Sequence, residues 1–276
     1  MGSSRLPGKV LLPVPDTAWE RSGGSVRNIL DLIVYRLKRS SLLDCIVIAT
    51  TTSPRDDVIR DFSDRWGITC FRGDENDVLG RVFAAAEEND LDVIVRVPGD
   101  KPFVEPSILD EMLEIQRVES YEFLSNFPKR SFPAGLELEV FSFKALSKAH
   151  FDARNEFDRE HVTPFIYRHF EQQGTYFFCK DSKLSRTDIR LTLDTSEDYA
   201  LICTVLDYLG PNARHSDIVN LFEEKYWLQR INEKILQATG ISDLGDELER
   251  AIFLLQEKEM HEAIRVLKLS LPVQRG

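Results

Sequence analysis

Short apolar segments alternate with helical patterns through the first half of the chain, and this alternation limits the fold more than any other feature. Residues 45–51 (CIVIATT), 68–71 and 92–97 are rich in apolar and β-branched side chains, as is typical of strands buried on both faces. The intervening segments with helical periodicity are residues 28–40, 55–66, 77–88 and 106–119. Strands joined through helices run parallel, so the pattern predicts an α/β fold with a doubly wound, mostly parallel, Rossmann-like sheet.

The second half of the chain predicts a change in strand direction. Residues 136–143 (LELEVFSF) alternate with a period of two, which favours a strand in an antiparallel excursion from the sheet. Further strands are expected at residues 122–126, 175–180 and 189–194, and helices at residues 158–172 and 197–209. Either Asp194 or Thr195 is expected to cap the last of these helices. Residues 16–27 are expected to form a loop.

Helical patterns dominate from residue 211 onward, including residues 216–225 and 244–269. We therefore divide the chain into a main domain at residues 1–210 and a helical C-terminal extension at residues 211–276. The amphipathic pattern of the extension fits packing on its own domain. It also fits an oligomerisation or partner helix, because both have one apolar face.

Charge and composition exclude several classes of protein. A formal net charge of −11 argues against a nucleic-acid-binding protein, which usually carries a basic face. No apolar run approaches the roughly 18 residues of a membrane span, and no apolar core of a secretory signal is expected at the N-terminus. Cys45, Cys70, Cys179 and Cys203 have no spacing that suggests zinc, so we expect reduced core thiols. These features predict a cytoplasmic protein with no nucleic-acid partner and no membrane insertion.

The first nine residues, MGSSRLPGK, have the chemistry that a nucleoside triphosphate requires. Glycines allow close approach of the backbone, Ser3 and Ser4 offer hydroxyl and amide donors, and Arg5 and Lys9 supply positive charge. The loop is not a Walker A motif, because Lys9 is followed by Val10. The alternative is a flexible basic N-terminus.

Two aspartates are candidates for holding Mg²⁺. Asp100 follows the predicted strand at residues 92–97 after a Pro-Gly turn, and Asp194 ends the predicted strand at residues 189–194. Ligands of open α/β sheets bind beyond the carboxyl ends of the strands, and Mg²⁺ bound to phosphates needs only one or two carboxylates. The alternative for Asp100 is a turn residue that stabilises its own loop.

Seven segments, in order, resemble the cytidylyltransferases that activate sugars with CTP. They are SSRLPGKVLLP at residues 3–13, IATT at 48–51, FRG at 71–73, VRVPGDKP at 95–102, FPAGLELEV at 132–140, REHVTP at 159–164 and RLTLDTSED at 190–198. The likeness covers roughly residues 1–230 and is strongest to the spore-coat polysaccharide branch, which is related to the acylneuraminate and 3-deoxy-manno-octulosonate enzymes.

The resemblance implies a fold of the nucleotide-diphospho-sugar transferase type, with residues 1–210 as the nucleotidyltransferase domain. It implies transfer of CMP from CTP to an acidic sugar or a similar small acceptor, with release of pyrophosphate, for surface polysaccharide biosynthesis. The implied cofactor is Mg²⁺, and the family favours homodimers.

The resemblance also assigns roles to individual residues. The implied catalytic residues are Arg5, Lys9 and Asp100, and the implied metal ligands are Asp100 and Asp194. The implied nucleotide-binding residues are Ser3, Ser4, Arg5, Lys9, Ala49, Thr50, Asp57, Arg72, Asp77 and Arg96. The implied substrate-binding residues are Glu137, Glu139, Arg159 and His161. Asp198 is expected to have a lesser part.

Three of these residues have alternative interpretations. Arg96 either meets a phosphate or carboxylate group, or merely pairs with Asp100. Glu139 either orients sugar hydroxyls or is an exposed strand carboxylate. His161 either contacts substrate or is a histidine at a helix N-terminus bonded to nearby backbone.

The chain departs from the family pattern in two places. Glu137 stands where the family usually has aspartate, which bears on the identity of the acceptor. In the family, an apolar strand precedes the basic loop and would lie at the centre of the sheet. Without that strand, two other strands would face each other across a gap of about 10 Å, twice the normal spacing. We therefore expect Met1 to be an internal methionine of a longer natural chain.

Two other functions remain open from the sequence. Related folds include glycosyltransferases that consume nucleotide-sugars, although these usually have a D-x-D pair and this chain has Gly99-Asp100-Lys101. The other is a catalytically inactive binding or assembly protein, against which the retention of Arg5, Lys9, Asp100 and Asp194 argues.

Overall fold

The computed structural model describes residues 5–127 and 129–235. The predictions for Ser3, Ser4 and the helix at residues 244–269 lie outside these ranges.

Helices and strands alternate along the described chain. The strands are β1 Val47–Thr51, β2 Thr69–Gly73, β3 Val93–Arg96, β4 Phe123–Ser125, β5 Glu139–Ser142 and β6 Gly174–Tyr176. The helices are α1 Asp16–Arg21, α2 Ile29–Leu37, α3 Asp57–Trp66, α4 Val78–Glu88, α5 Pro106–Glu119, α6 Phe143–Asp152, α7 Glu156–His161, α8 Thr163–His169, α9 Ser196–Leu209 and α10 His215–Glu224.

The strands form two hydrogen-bonded groups. β1 and β2 pair in parallel, with Val47 opposite Thr69 and Thr51 opposite Gly73. The second group has the order β3-β5-β4-β6, in which β5 is antiparallel to both neighbours and β4 is parallel to β6. The predicted α/β fold with an antiparallel excursion is therefore confirmed.

Local capping chemistry explains where the helices of the site begin. At α2 the Asn28 side chain accepts a hydrogen bond from the backbone of Asp31, whose carboxylate accepts from the Asn28 backbone in return. At α9, Thr195 and Asp198 form the same reciprocal box, so the cap is Thr195 rather than Asp194.

Several elements differ from the sequence predictions. The expected loop at residues 16–27 contains helix α1. The expected helix at residues 158–172 is split into α7 and α8, because Val162 has a positive φ of 71° and α8 begins at Thr163 with Pro164 in its first turn. The expected strand at residues 189–194 makes only one bridge, between Arg190 and Ala134. Helix α6 lies between the expected strands at residues 136–143 and 175–180, where helices were expected without stated bounds.

The cysteines are free thiols, but they are not core residues. Cys45 is exposed, and Cys70, Cys179 and Cys203 are only partly buried. The prediction of four core thiols is therefore wrong.

The main core lies between α2, α5, α9 and the second group of strands, and α10 contributes Ile218, Val219 and Phe222 to it. The buried Arg36 side chain of α2 also donates hydrogen bonds to the carbonyl oxygens of Pro211 and Ala213, both at 2.8 Å. The described start of the C-terminal extension thus packs on the main domain, and the boundary at residue 210 stays a prediction.

A cavity of about 830 Å³ is lined by residues of both β1 and β3. These two strands are not hydrogen-bonded to each other. β1 and β3 therefore border one cavity in the part of the chain that the structure describes, and the expected gap of about 10 Å stays a prediction. No helix within residues 5–127 and 129–235 is both long and apolar enough to cross a bilayer.

Candidate active site

The N-terminal loop delivers Lys9 to the carboxyl end of the sheet. Gly8 has a left-handed conformation with φ of 69°, and a short 3-10 helix, Lys9–Leu11, follows it directly. The Lys9 amide donates to the Leu6 carbonyl at 3.2 Å, which closes the turn. The side chain of Lys9 is largely buried, with 16% exposed.

Backbone pairing brings Asp100 and Asp194 together from distant parts of the sequence. Asp100 follows β3 in a turn closed by the Lys101 amide on the Pro98 carbonyl. The Leu193 amide donates to the Asp100 carbonyl at 2.8 Å, so the residue before Asp194 is tied to Asp100 itself. The segment that leads to Asp194 also passes close to Gly135. A Cβ atom at Gly135 would lie 2.7 Å from the Leu191 carbonyl carbon, so the close approach requires glycine.

Lys9 bridges the two aspartates. Its Nζ lies 3.1 Å from Asp100 Oδ2, 3.0 Å from Asp194 Oδ1 and 2.8 Å from the Leu193 carbonyl oxygen. Arg5 Nη2 lies 3.1 Å from the same Asp194 oxygen. The four charged residues that the sequence singled out as the centre of the site therefore form one contiguous cluster.

Arg190 holds the other side of Asp194, and the sequence reasoning missed it. Its Nη2 donates to Asp194 Oδ2 at 2.8 Å and to Asp198 Oδ2 at 3.0 Å. Burial raises the pKa of Asp194, but the Arg190 hydrogen bond and the charges of Lys9 and Arg5 outweigh it, so the pKa lies below its usual value. The signal in the sequence was the Arg190-x-x-x-Asp194-x-x-x-Asp198 spacing.

The carboxyl end of β1 is organised by Asp56, which the sequence reasoning also did not select. Its Oδ2 accepts from the hydroxyls of Thr50 at 2.7 Å and Thr51 at 2.8 Å, and from the Thr51 amide at 3.1 Å. Burial raises the pKa of Asp56, but these hydrogen bonds outweigh it, so the pKa lies well below the usual range. Thr50 is thereby fixed in place, and Ala49 next to it lines the cavity beside β1.

Arg72 clamps the loop that follows β1. Its Nε donates to the Thr51 carbonyl at 2.8 Å, Nη2 donates to the Ser53 carbonyl at 2.8 Å, and Nη1 pairs with Asp57 at 2.6 Å. The two predicted nucleotide-binding residues Arg72 and Asp57 are therefore partners of each other.

An ion pair connects Asp77, a predicted nucleotide-binding residue, with Arg159, a predicted substrate-binding residue. Asp77 caps α4 by accepting from the Gly80 amide, and its other oxygen pairs with Arg159 Nη2 at 2.5 Å. Burial raises the pKa of Asp77, but the Arg159 hydrogen bond and the Gly80 amide lower it to a net value below normal.

Arg96 and Glu139 belong to a buried network. Arg96 Nη1 pairs with Glu139 Oε2 at 2.6 Å, while Glu139 Oε1 accepts from Thr163 at 2.5 Å and from the Tyr167 hydroxyl at 2.6 Å. Glu139 is 3% exposed, so its interpretation as an exposed strand carboxylate is wrong, and so is the pairing of Arg96 with Asp100. Burial, reinforced by the Glu139 charge, raises the pKa of Tyr167 well above normal.

Glu137 and His161 have other partners than the Glu139 network. Glu137 is buried, accepts from the Gly135 amide at 2.7 Å and lies 3.4 Å from Lys101 Nζ. His161 is the last residue of α7 and packs edge-on against Phe157. The alternative that placed His161 at a helix N-terminus is therefore wrong.

The donor set around Lys9 fits a magnesium ion bound with phosphates. No group of three or more His, Cys, Asp or Glu side chains suited to a metal occurs within residues 5–127 and 129–235. The two carboxylates of Asp100 and Asp194 and the Leu193 carbonyl are all oxygen donors, which Mg²⁺ prefers. The space between these three oxygen donors is occupied by the Lys9 ammonium group, so it already holds a cation.

Comparison with known proteins decides the family. The sequence profile described as cytidylyltransferase matches residues 1–235. The chain belongs to the cytidylyltransferase family. An uncharacterised protein of Methanocaldococcus jannaschii is 34% identical over 239 residues, covering 86% of this chain and 92% of the relative. The spore coat polysaccharide biosynthesis protein SpsF of Bacillus subtilis is 32% identical, covering 80% of this chain and 90% of the relative.

Solved structures agree with this assignment. A cytidylyltransferase from Leptospira borgpetersenii matches with a TM-score of 0.74 and 30% identity, covering 83% of this chain and 92% of the other. CMP:2-keto-3-deoxy-manno-octonic acid synthetase, solved in complex with CTP, matches with a TM-score of 0.51 and 12% identity over 75% of this chain and 95% of the other, which shows a shared fold. The protein is therefore a cytidylyltransferase with the fold that the sequence predicted.

Proposed function

We propose that this enzyme transfers CMP from CTP to an acidic sugar, or to a similar small acceptor, and releases pyrophosphate in the synthesis of a surface polysaccharide. Membership of the cytidylyltransferase family and the likeness to SpsF support the reaction class. The observation that carries the proposal is the cluster in which Lys9 bridges Asp100 and Asp194 beside Arg5.

Binding of the triphosphate is assigned to the N-terminal loop. Arg5 and Lys9 neutralise the β- and γ-phosphates, and Ser3 and Ser4 add hydroxyl and amide donors. The Lys9 ammonium group is held by two carboxylates in the free protein, so the phosphates compete with Asp100 and Asp194 for it. The remaining nucleotide contacts are assigned to Ala49, Thr50, Asp57, Arg72, Asp77 and Arg96.

The chemistry is an in-line displacement at phosphorus. A hydroxyl oxygen of the acceptor forms a bond to the α-phosphorus, the bond from that phosphorus to the bridging oxygen of the β-phosphate breaks, and the hydroxyl proton passes to water. Positioning and charge neutralisation dominate such reactions. Lys9 and Arg5 supply fixed positive charge where negative charge develops on the leaving pyrophosphate.

Asp100 and Asp194 are the residues that would hold Mg²⁺. When bound, such an ion neutralises phosphate oxygens and makes an acceptor hydroxyl more acidic. Arg190 acts through Asp194, because its Nη2 donates to Oδ2 of the carboxylate that faces Lys9 and is itself held by Asp198.

The acceptor is assigned to the region around Glu137, Glu139, Arg159 and His161. Both carboxylate oxygens of Glu139 already accept from Arg96, Thr163 or Tyr167. We therefore assign Glu139 the role of orienting Arg96 and Tyr167 rather than of binding sugar directly. Lys101 lies within 3.4 Å of Glu137 and adds a positive charge suited to an acidic acceptor.

Pyrophosphate release from CTP, with Mg²⁺ and a panel of acidic sugars, tests the function. Asp100→Asn should reduce the rate by about 10²-fold or more, because one of the two carboxylates that would hold Mg²⁺ is lost. Asp64→Asn is the matched control, since Asp64 is exposed on α3, and it should leave the rate unchanged. Equal rates in the two variants would remove Asp100 from the mechanism. Sugar transfer from a nucleotide-sugar without pyrophosphate release would identify a glycosyltransferase instead.

The homodimer stays a prediction, which sedimentation equilibrium tests. The cytoplasmic location also stays a prediction.

A further inference from the structure

The Lys9 ammonium group fills a small site made of three oxygen atoms. These atoms are Asp100 Oδ2, Asp194 Oδ1 and the Leu193 carbonyl oxygen, and we call them the oxygen site. The Lys9 Nζ atom lies between 2.8 and 3.1 Å from each of them. The Leu193 amide donates to the Asp100 carbonyl at 2.8 Å, which fixes the two backbone segments against each other. The same oxygens are the donors that would hold Mg²⁺, so Lys9 and the metal ion require one place.

Cationic side chains contact both carboxylate oxygens of Asp194. Its Oδ1 accepts from Lys9 at 3.0 Å and lies 3.1 Å from Arg5 Nη2. Its Oδ2 accepts from Arg190 at 2.8 Å. The Asp194 side chain is only 12% exposed, so little of it faces solvent. A divalent ion can therefore bind Asp194 Oδ1 only after the Lys9 ammonium group has left it.

The charge of this cluster also opposes the entry of a further cation. Three cationic side chains face three carboxylates, and the members are Lys9, Arg5, Arg190, Asp100, Asp194 and Asp198. The formal charge of the cluster is therefore balanced, and a divalent ion gains little from it. When Lys9 and Arg5 withdraw, one cation faces three carboxylates. The two negative charges in excess then match a divalent ion.

The Lys9 side chain can leave the oxygen site while its backbone stays in place. The Leu11 amide donates to the Gly8 carbonyl at 2.9 Å, and the Leu12 amide donates to the Lys9 carbonyl at 3.3 Å. These hydrogen bonds hold the backbone, whereas the side chain is a flexible four-carbon stem. The Arg5 side chain is 53% exposed, so it is open to an incoming triphosphate that then reaches Lys9.

We propose that Lys9 closes the metal site of the free enzyme, and that the triphosphate opens it by drawing the ammonium group away from Asp100 and Asp194. The site then takes up a divalent ion together with the nucleotide and not before it. Departure of Lys9 alone would leave two carboxylates without compensation, so its release and the entry of the ion are coupled. This inference rests on the proposed function, which supplies the triphosphate as the competing anion.

Binding of Mn²⁺ to the protein without nucleotide tests whether Lys9 closes the site. Electron paramagnetic resonance counts the free Mn²⁺, and the measurement needs neither CTP nor an acceptor. Lys9→Met removes the charge and keeps an unbranched side chain, so it should bind Mn²⁺ about tenfold or more tightly than the parent. Lys148→Met is the matched control, because Lys148 also pairs with an aspartate, at 2.7 Å, but lies on α6. The control should have the Mn²⁺ affinity of the parent.

Two further measurements locate the ion and test the opening step. Combining Lys9→Met with Asp194→Asn should abolish the added Mn²⁺ affinity, because the ion loses one of its two carboxylates. The thermal unfolding midpoint, which also shows that each variant folds, should rise with Mn²⁺ in Lys9→Met and not in the parent. When CTP is added, the parent should bind Mn²⁺ as well. Relaxation of water protons detects this binding, with Mn²⁺ and CTP in the absence of protein as the reference.

Four results would overturn the proposal. Equal Mn²⁺ affinities of the parent and Lys9→Met would mean that Lys9 does not close the site. An equal gain in Lys148→Met would make overall charge the cause. A gain that survives Asp194→Asn would place the ion elsewhere. A relaxation effect of the parent that is as strong without CTP as with it would mean that the site is open before the nucleotide binds.

Pyrophosphate release by the parent tests the proposed function separately. If the parent releases no pyrophosphate while Lys9→Met gains Mn²⁺ affinity, the proposed function fails and closure of the metal site by Lys9 is supported.

Discussion

The buried Arg190 side chain joins two aspartates, and its replacement by glutamine tests the electrostatics of the site. Arg190 Nε donates to Asp198 Oδ1 at 2.9 Å, and Nη2 donates to both Asp198 Oδ2 and Asp194 Oδ2. Asp198 is 1% exposed. Removing one partner of a buried ion pair costs about 3–5 kcal/mol, because the remaining charge is left without compensation.

The structure favours the lower end of that range. Asp198 keeps hydrogen bonds from the Asn232 side chain at 2.8 Å and from the amides of Asp194 and Thr195 at 3.0 and 3.1 Å. Asp194 keeps its contacts with Lys9 and Arg5. We therefore expect Arg190→Gln to lower the free energy of unfolding by about 3 kcal/mol. With a typical urea dependence, the unfolding midpoint falls by roughly 1–2 M.

Urea unfolding followed by circular dichroism measures this loss, with Arg186→Gln as the matched control. Arg186 pairs with Asp188 at 2.8 Å, but that carboxylate is half exposed, so the control should lose less than about 1 kcal/mol. The lowered pKa of Asp194 provides a second check, because its stabilisation is present above the unfolded pKa near 3.9 and is lost as pH falls through the folded value. The difference in the free energy of unfolding between Arg190→Gln and the parent should become smaller below about pH 4. Equal midpoints for the two arginine variants would refute this account of the site.

Three further variants test other parts of the structure. Gly135→Ala should destabilise the protein by about 1–3 kcal/mol, because φ is +102° and the new Cβ would clash with the Leu191 backbone. Thermal unfolding measures this loss, and an unchanged midpoint would contradict it. Tyr167→Phe should lower the free energy of unfolding by about 1.5–3 kcal/mol, because the hydrogen bond to the Glu139 carboxylate is lost. The control Tyr226→Phe removes an exposed hydroxyl and should leave the stability almost unchanged. Similar losses in the two variants would exclude the Glu139 hydrogen bond as the cause. Asp56→Asn should destabilise by about 1–3 kcal/mol at pH 7. The loss should become smaller as pH falls below about 4, because Asp56 is then protonated in the unfolded chain while its folded pKa lies well below that value. A pH-independent difference would contradict the lowered pKa of Asp56.

The elements that were predictable from sequence are those in which local pattern and burial agree. α5 occupies the predicted residues 106–119, and β1 to β3 lie within two residues of their predicted positions, because apolar periodicity and caps act over short distances. α1 was missed because it has only six residues and is held by tertiary contacts, such as the Thr17 hydroxyl on Asp207 at 2.6 Å. Short helices of this kind are not stable alone.

The same limit applies to the candidate site. Asp100, Asp194, Lys9 and Arg5 could be selected because their residue types and strand-end positions suit a triphosphate. Burial of Glu139 could not be predicted, since the alternation in residues 136–143 suggested one polar face. In the folded chain Arg96, Thr163 and Tyr167 converge on that carboxylate, which makes its burial possible.

The amino-acid sequence by itself determined the α/β class, the order of its main strands and helices, and the charged residues of the N-terminal loop. These depend on side-chain periodicity and residue chemistry, which act locally along the chain. Only the tertiary structure decided which charges meet, because contacts such as Lys9 with Asp194 join residues 185 positions apart. It also decided that Arg190 holds Asp194, and that β1 and β3 border one apolar cavity, since both follow from how the backbone segments pack together.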